Sequence, residues 1–189
     1  DVYKRQMMMP PYHGALMRGT SQQTFEQFAK VGEAGVTIMV QDAPLSGVDL
    51  PVPLLIKMAK EIETVKCFKI ECAQAASKLR KLVVEGGDVI EGPFDGEEGI
   101  TLFADLEAGA TGNMSSAMIP DLIKPVVLDY LAGEFDKSED KYNNILPLIN
   151  YENRQCGFRA TKVIMKEGGV INSDFCRHPI PVSYTHLTL

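Results

Sequence analysis

Short apolar runs alternate with longer amphipathic segments along this chain, and that alternation restricts its fold more than any other feature. The apolar runs predict five strands, at residues 7–14, 36–41, 65–71, 88–92 and 110–118. Segments with helical periodicity follow them, at about 21–34, 54–63, 73–85 and 97–109. Strands separated by helices of similar length predict parallel βαβ units with right-handed crossovers.

Two architectures contain such units. A doubly wound sheet would carry a glycine-rich phosphate loop, and neither Gly-x-Gly-x-x-Gly nor Gly-x-x-x-x-Gly-Lys-Ser/Thr occurs here. A β/α barrel gathers polar residues at the carboxyl ends of its strands. Polar residues do fall at the predicted strand ends: Tyr12 and His13, Gln41 and Asp42, Lys69 and Glu71, Glu91, and Asn113.

The barrel is therefore the predicted architecture, within the α/β class. We expect residues 7–120 to form a partial TIM (β/α)8 barrel that contains only the later strands, about strands 4–8. The pattern after residue 120 is helical only, with helices at about 121–132, 138–150 and 155–167. Residues 121–181 are accordingly predicted to be a C-terminal helical region.

The apolar run 65–71 carries a lysine and a glutamate where a buried strand usually carries neither. Side chains alternate along a strand, so Lys69 and Glu71 point to one face while Phe68 and Ile70 point to the other. A lysine amine that loses its hydration favours the neutral form, which attacks carbonyl groups. An exposed ion pair on an edge strand is the competing interpretation. The crowding of polar residues at strand ends favours the catalytic one.

Composition limits the kind of partner and site. A net charge of −6, without a long basic cluster, argues against nucleic acid or an anionic membrane as a partner. The four cysteines have no Cys-x-x-Cys spacing, which favours reduced thiols over disulfides or a zinc site, and three histidines form no metal-binding set. No apolar run is long enough for a membrane span, and no signal-peptide pattern occurs. We expect a cytoplasmic protein that binds no metal and acts on a small molecule.

The two ends of the chain look foreign. Residues 1–6 can be encoded by GAT GTG TAT AAG AGA CAG, and the reverse complement of that DNA, in a shifted frame, encodes residues 182–187. The DNA resembles a transposon end used in preparing sequencing libraries. We therefore expect residues 1–6 and 182–189 to be adapter-derived and residues 7–181 to be a natural segment of a longer gene.

Three short motifs, in order along the chain, resemble those of the dihydrodipicolinate synthase and N-acetylneuraminate lyase family of Schiff-base barrel enzymes. Phe-Lys-Ile-Glu at 68–71 is similar to the family's Ile-Lys-Glu strand, and Pro-Tyr-His at 11–13 to its Pro-Tyr-Tyr loop. Residues 41–50 resemble its Tyr-Asn-x-Pro…Gly loop. The resemblance implies that Lys69 forms an imine with a 2-keto acid, that Tyr12 and His13 lie near the substrate, and that the intact protein is a homotetramer without a cofactor.

One departure from the family pattern changes the expected chemistry. Gln41 stands where the family has a tyrosine that passes protons during carbon–carbon bond formation or cleavage. Together with Glu71, this amide resembles the branch that dehydrates 2-keto-3-deoxy sugar acids. Glu71 is then expected to act as base and acid, directly or through a water held by Gln41. Glu91 and Asn113 are candidate substrate-binding residues, with hydrogen bonding to neighbouring backbone as the alternative role.

Two other functions stay open at this stage. One is a pyruvate-dependent aldolase or lyase of the same family. The other is an inactive truncated fragment, because the resemblance implies that the first barrel strands and their carboxylate-binding loop are missing. An open set of five strands would expose an edge and an apolar inner face, so residues 7–181 alone are expected to aggregate or to lack turnover.

Overall fold

A five-stranded parallel sheet forms the centre of the fold. The computed structural model describes residues 5–11, 18–43 and 46–180. The strands follow one another in chain order across the sheet, and each pairs in parallel with the next. They are β1 Arg5–Met8, β2 Thr37–Asp42, β3 Val65–Ile70, β4 Gly92–Asp95 and β5 Gly112–Asn113.

Helices connect the strands and then continue beyond them. Four lie between strands: α1 Ser21–Gly32, α2 Val52–Glu61, α3 Ala75–Gly86 and α4 Leu102–Glu107. Three follow the sheet: α5 Pro120–Leu131, α6 Phe135–Tyr151 and α7 Phe158–Glu167. A π-helical turn over Glu152–Cys156 joins the last two. No helix within the described ranges is both long and apolar enough to cross a membrane.

Local sequence explains where the first two helices begin. The Thr20 side chain accepts a hydrogen bond from the Gln23 amide, and the Gln23 side chain accepts one from the Thr20 amide, which satisfies two of the free amides at the start of α1. Pro51 and Pro53 flank Val52, the first residue of α2. Amides in the first turn of a helix have no acceptor within the helix, so a proline there loses no hydrogen bond. α1 begins at the predicted residue 21, and α2 begins at Val52, slightly before the predicted start at about 54.

One face of the sheet packs against the first helices. Ile38 and Val40 of β2 and Phe68 and Ile70 of β3 alternate along their strands and are at most 1% exposed. They form one apolar cluster with side chains of α1, α2 and α3, among them Phe28, Leu55 and Leu79. A second cluster joins α4, α5 and α6. Because neighbouring side chains on a strand point to opposite faces, this packing leaves Lys69 on the other face of β3.

The predicted position of the fourth strand was wrong. Residues 87–89 form a 3₁₀ turn, and β4 runs over Gly92–Asp95, mostly in the gap between the strand predicted at 88–92 and the helix predicted from 97. The Phe94 ring explains the difference, because it packs directly over Gly92 and Gly112, where any β-carbon would overlap it. The prolyl carbonyl of Pro93 still accepts a hydrogen bond from Thr111, so the proline fits the ladder.

The outer strands are also shorter than predicted or shifted. β1 covers Arg5–Met8, earlier than the predicted 7–14, and it includes two residues of the segment assigned to the adapter. β5 is reduced to Gly112–Asn113, within the predicted 110–118. Together the elements form an α/β fold with a parallel five-stranded sheet.

Candidate active site

Lys69 and Glu71 form the centre of the candidate site. Lys69 is the next-to-last residue of β3 and only 7% exposed, and its Nζ lies 2.8 Å from Glu71 Oε2. The period of two along the strand brings both side chains to the same face, as predicted. The pair is therefore a largely buried amine held against a carboxyl group, rather than an exposed ion pair on an edge strand.

Gln41 completes the group from the neighbouring strand. The β2–β3 register pairs Gln41 directly with Lys69, and the Gln41 Nε2 donates to Glu71 Oε2 at 2.6 Å. One carboxylate oxygen of Glu71 thus receives both the lysine amine and the glutamine amide. This arrangement fixes the orientation of Glu71, and the three predicted catalytic residues lie together.

The turn after β4 forms the third side of the site. The Gly96 amide donates to the carbonyl of Ile70 at 2.9 Å, which presses the turn against the end of β3. A β-carbon on Gly96 would lie 2.8 Å from that carbonyl oxygen, so only glycine fits without displacement. The turn then carries two glutamates toward the lysine.

Those glutamates, Glu97 and Glu98, make the surroundings of the lysine acidic. Burial and the negative charge of Glu71 raise the pKa of Glu97, and the nearby Arg154 guanidinium opposes the increase. Burial likewise raises the pKa of Glu98, with the charge of Lys69 opposing it. Glu98 adopts a left-handed backbone conformation with φ of 59°, which is uncommon for a residue with a β-carbon. An excess of carboxyl groups around one amine suits proton transfer better than it suits binding of an anion.

A buried pair of aspartates lies beneath this turn. Asp95, the last residue of β4, and Asp105 of α4 are both 0% exposed. Asp95 accepts hydrogen bonds from the Glu97 amide and from the side-chain amide of Asn113, and Thr101 donates to Asp105 at 2.7 Å. Burial, followed by the facing carboxyl of Asp105, raises the pKa of Asp95 to about 7. Sequence reasoning missed both residues.

A third buried carboxyl group, that of Asp42, lies at the end of β2. Asp42 Oδ2 lies 2.6 Å from the Nζ of Lys78 on α3, and the two side chains are 5% and 17% exposed. Burial raises the pKa of Asp42, and the charge of Lys78 opposes the increase. This ion pair joins a strand end to a helix on the face opposite Lys69, so its role is structural.

The remaining predicted residues have different outcomes. Glu91 precedes β4 instead of following a strand, and its Oε1 lies 3.1 Å from the Nζ of Lys66. Its predicted position at a carboxyl end was therefore wrong, and the shifted strand is the reason. Asn113 does lie at a strand end, where its amide is bonded to Asp95. Tyr12 and His13 lie outside the described residues.

Two cavities lie near the strand ends. One of about 550 Å³ is bounded by the chain after β5 and by α5, from Asn113 to Leu128. Another of about 460 Å³ is bounded by Arg18, Asp42, Cys72 and Lys78. Within the described ranges, no three His, Cys, Asp or Glu side chains are grouped closely enough to hold a metal ion.

The fold and the site together define a class, that of α/β proteins built as part of a β/α barrel with a lysine at the carboxyl end of a strand. Dihydrodipicolinate synthase from Rhodopseudomonas palustris superposes with a TM-score of 0.82 at 26% identity, over 95% of this chain and 61% of that one. The enzyme from Aquifex aeolicus gives a TM-score of 0.81 at 20% identity, over 94% and 60%.

The sequence identifies the family. The model of the dihydrodipicolinate synthetase family matches residues 3–187, and the chain belongs to that family. Among curated proteins, the chain is 54% identical over 176 residues to L-2-keto-3-deoxyarabonate dehydratase from Azospirillum brasilense. The match covers 93% of this chain and 57% of that protein, so the chain spans less than two thirds of the relatives' length.

The residues that sequence reasoning missed had weak signals. Asp95 fell in the short connection between the predicted strand 88–92 and the predicted helix 97–109, where aspartate is common, and Asp105 looked like an ordinary polar position of a helix. The adjacent glutamates at 97 and 98 resembled the charged start of a helix. A correct placement of β4 would have put Asp95 at a strand end, beside the lysine strand, and would have marked the following turn as part of the site.

Proposed function

We propose that this chain carries the catalytic half of a hydro-lyase that dehydrates a 2-keto-3-deoxy sugar acid through a lysine Schiff base, converting L-2-keto-3-deoxyarabonate to α-ketoglutarate semialdehyde. The observation that carries the proposal is the shared contact of Glu71 Oε2 with Lys69 Nζ at 2.8 Å and Gln41 Nε2 at 2.6 Å. The 54% identity to the dehydratase of Azospirillum brasilense supports the choice of substrate.

The first step joins the substrate to the enzyme. The neutral amine of Lys69 attacks the C2 ketone, and loss of one water gives a protonated imine. Lys69 is in contact with Glu71, which accepts the ammonium proton when the ketone arrives and then gives it to the hydroxyl that leaves as water, so Glu71 is again a carboxylate once the imine has formed. The positive charge on the imine nitrogen then withdraws electrons from C3 and makes its hydrogens acidic.

The second step removes the elements of water from the sugar acid. Glu71 takes a proton from C3, and the electron pair of that bond forms an enamine. The C4 hydroxyl leaves with a proton, delivered by Glu71 or by a water that Gln41 holds. The resulting conjugated imine loses a proton from C5 and gains one at C3, which leaves an enol between C4 and C5. The enol hydroxyl then gives its proton up as C4 gains one, which produces the terminal aldehyde, and hydrolysis of the imine consumes one water, equal to the one released when the imine formed. The net change is the loss of one water from the substrate.

Gln41 suits elimination better than carbon–carbon bond cleavage. An amide side chain has no proton that it can give up at neutral pH, so it orients Glu71 and a water without relaying protons itself. No metal or organic cofactor is needed for these steps. Lys69, Glu71 and Gln41 are the proposed catalytic residues, and Tyr12 and His13 the proposed substrate-binding ones.

The size of the match bears on the assembly. The chain spans about three fifths of the family members compared above. We propose that its strands correspond to about strands 4–8 of the complete barrel, that the complete enzyme is a homotetramer, and that this portion alone has little or no turnover. The substrate carboxylate would then be bound by residues outside this chain.

Trapping of the imine tests the proposal. The 189-residue chain is incubated with pyruvate, or with 2-keto-3-deoxypentonate of either configuration, and then reduced with borohydride. We expect mass spectrometry to locate the adduct on Lys69 and to find none in Lys69→Met. An adduct on another lysine, with Lys69 unmodified, would contradict the assignment.

Product analysis separates dehydration from aldol cleavage. The chain is fused to the portion of the Azospirillum brasilense dehydratase that it does not cover and is supplied with 2-keto-3-deoxy-L-arabonate. We expect α-ketoglutarate semialdehyde. Formation of pyruvate and a two-carbon aldehyde instead would favour a pyruvate-dependent aldolase of the same family. A fusion that traps pyruvate on Lys69 but releases neither product would refute both activities.

A further inference from the structure

We propose that Asp95 and Asp105 act as a carboxyl pair sharing one proton, and that this pair positions Lys69 and Glu71 through Gly96. The inference rests on the proposed function, because Lys69 must be a working amine for its position to matter. It adds two positioning residues that make no contact with the substrate. Four observations lead to it.

The first observation is an acceptor without a donor. Asp105 is fully buried, and its Oδ2 receives the Thr101 hydroxyl. Its Oδ1, equally buried, has no hydrogen-bond partner among the described residues. The side chain that faces it is Asp95, which can donate only if it carries a proton. A buried acceptor left unpaired costs ~1–3 kcal/mol, so the fold favours the protonated form of Asp95.

The second observation is that the surroundings offer the pair little positive charge. Among the ion pairs found within the described ranges, none includes Asp95 or Asp105. The ionisable groups that act on the pair are Glu97 from the turn after β4 and Tyr142 from α6, and burial raises the pKa of both. Two buried carboxylates without a cation repel each other, whereas a single shared proton turns repulsion into a hydrogen bond.

The third observation is that the pair fixes the turn that follows it. Asp95 Oδ1 accepts from the Glu97 amide at 2.9 Å, and Asn113 donates to Oδ2. At the other end of the turn, Thr101 is bonded to Asp105, and the Tyr142 hydroxyl donates to the carbonyls of Gly99 and Ile100. The two aspartates therefore hold both ends of the segment 95–101.

The fourth observation connects that segment to the amine. Gly96 lies between Asp95 and Glu97, and its amide donates to the Ile70 carbonyl. It packs against Lys69 and Glu71 so closely that a β-carbon would lie 2.9 Å from a side-chain carbon of each. Any displacement of Asp95 thus moves Gly96, against which the Lys69 side chain packs. When the shared proton is lost, repulsion between the two carboxylates separates β4 from α4 and displaces Gly96.

The test compares two substitutions that differ only in whether a donor is present. Asp105→Asn supplies a permanent N–H donor to Asp95, and Asp105→Leu supplies none. The readout is the rate at which pyruvate and borohydride modify Lys69, measured from about pH 5 to about pH 9. We expect the Asn variant and the parent chain to react equally at the acidic end, with the parent ~10-fold slower than the variant at the alkaline end. The Leu variant should be ~10-fold slower throughout.

Infrared spectroscopy reports on the pair without any catalysis. The parent chain should show the carbonyl band of a buried protonated carboxylic acid, which disappears as the pH rises and is absent from Asp105→Asn. If Lys69 cannot be trapped at all, the proposed function fails, and the infrared band still decides whether the pair holds a proton. A parent chain without that band, or equal pH profiles for parent and Asn variant, would overturn the inference.

Discussion

The α-carbon of Gly96 lies so close to the side chain of Lys69 that a β-carbon on Gly96 would stand 2.9 Å from the Lys69 Cγ. The same β-carbon would lie 2.8 Å from the backbone oxygen of Ile70, which cannot rotate away. The position of the proposed nucleophile therefore depends on the absence of a β-carbon at Gly96, in the turn that follows the neighbouring strand β4.

Gly96→Ala should displace Lys69 and leave most of the fold intact. We expect pyruvate-dependent borohydride trapping to slow by about 10-fold or more, because a small misplacement of a nucleophile strongly lowers its rate. The matched control is Gly19→Ala, whose nearest neighbour would be 3.6 Å away, an ordinary contact. Equal trapping rates in the two variants would mean that Gly96 does not position the amine.

Glu71→Gln should separate imine formation from elimination. The amide keeps the size of the side chain but cannot accept a proton from Lys69 or from C3. Trapping of Lys69 by pyruvate should slow but persist, because solvent water can accept the ammonium proton, whereas elimination has no such substitute base. In the fused full-length enzyme, we expect dehydration to fall by ~10²–10⁴-fold, the usual contribution of a general acid–base residue. A variant with unchanged turnover would remove Glu71 from the mechanism.

Gln41→Met should weaken elimination less than the change at Glu71. Methionine fills a similar volume but cannot donate to Glu71 Oε2, which loses a hydrogen bond to a charged group worth ~1.5–3 kcal/mol. We expect ~10–100-fold slower dehydration with trapping of Lys69 preserved. Gln41→Glu serves as a contrast, because a second carboxylate beside Glu71 should impair the reaction further.

Lys78→Met should destabilise the fold without touching the site. It leaves the carboxylate of Asp42, whose side chain is only 5% exposed, without its cation. We expect a loss of about 3 kcal/mol in the free energy of unfolding, measured by urea denaturation. Lys30→Met is the control, because the Lys30–Glu33 side chains are 76% and 63% exposed and such pairs add little. Similar stabilities for the two variants would contradict a structural role for Asp42.

The stability of the chain should fall as pH rises through the mildly acidic range. The pKa of Asp95 is raised from an ordinary value of 3.8 to about 7. A carboxyl group that binds its proton more tightly in the folded state stabilises the fold fully below about pH 4, and that contribution is lost as pH approaches about 7. We expect a decrease of ~2–4 kcal/mol over this window and a smaller one in Asp105→Asn. Parallel stability curves for the two proteins would be evidence against the raised pKa.

The sequence predicted the centre of the site better than its edges, and the reason is geometric. Lys69 and Glu71 share a face because the strand period is fixed, whatever the rest of the fold does. Gln41 joins them because residues at the ends of adjacent parallel strands meet in the sheet, and the resemblance to the family marked its position. Neither inference needed a contact between distant side chains.

The fourth strand could not be predicted because a distant contact determines it. Phe94 packs over Gly92 and Gly112, and only the folded sheet brings these three residues together. A local reading of Pro93 favours a turn instead. Because β4 lies a few residues later than predicted, Glu91 precedes it and Asp95 ends it, so the prediction chose Glu91 and missed Asp95. Asp105, the partner of Asp95, lies on α4, and its polarity alone does not distinguish it from an exposed polar residue of a helix.

The register of the sheet assigns neighbouring positions to two steps of the proposed reaction. Gln41, Lys69, Phe94 and Gly112 occupy one row across four strands. In the proposed mechanism, Lys69 captures the ketone, and Gln41, beside it in the row, orients the group that governs how the captured molecule reacts. On that mechanism, an exchange at Gln41 alone redirects the reaction while Lys69 still captures the ketone, so a single substitution separates two reactions on one scaffold.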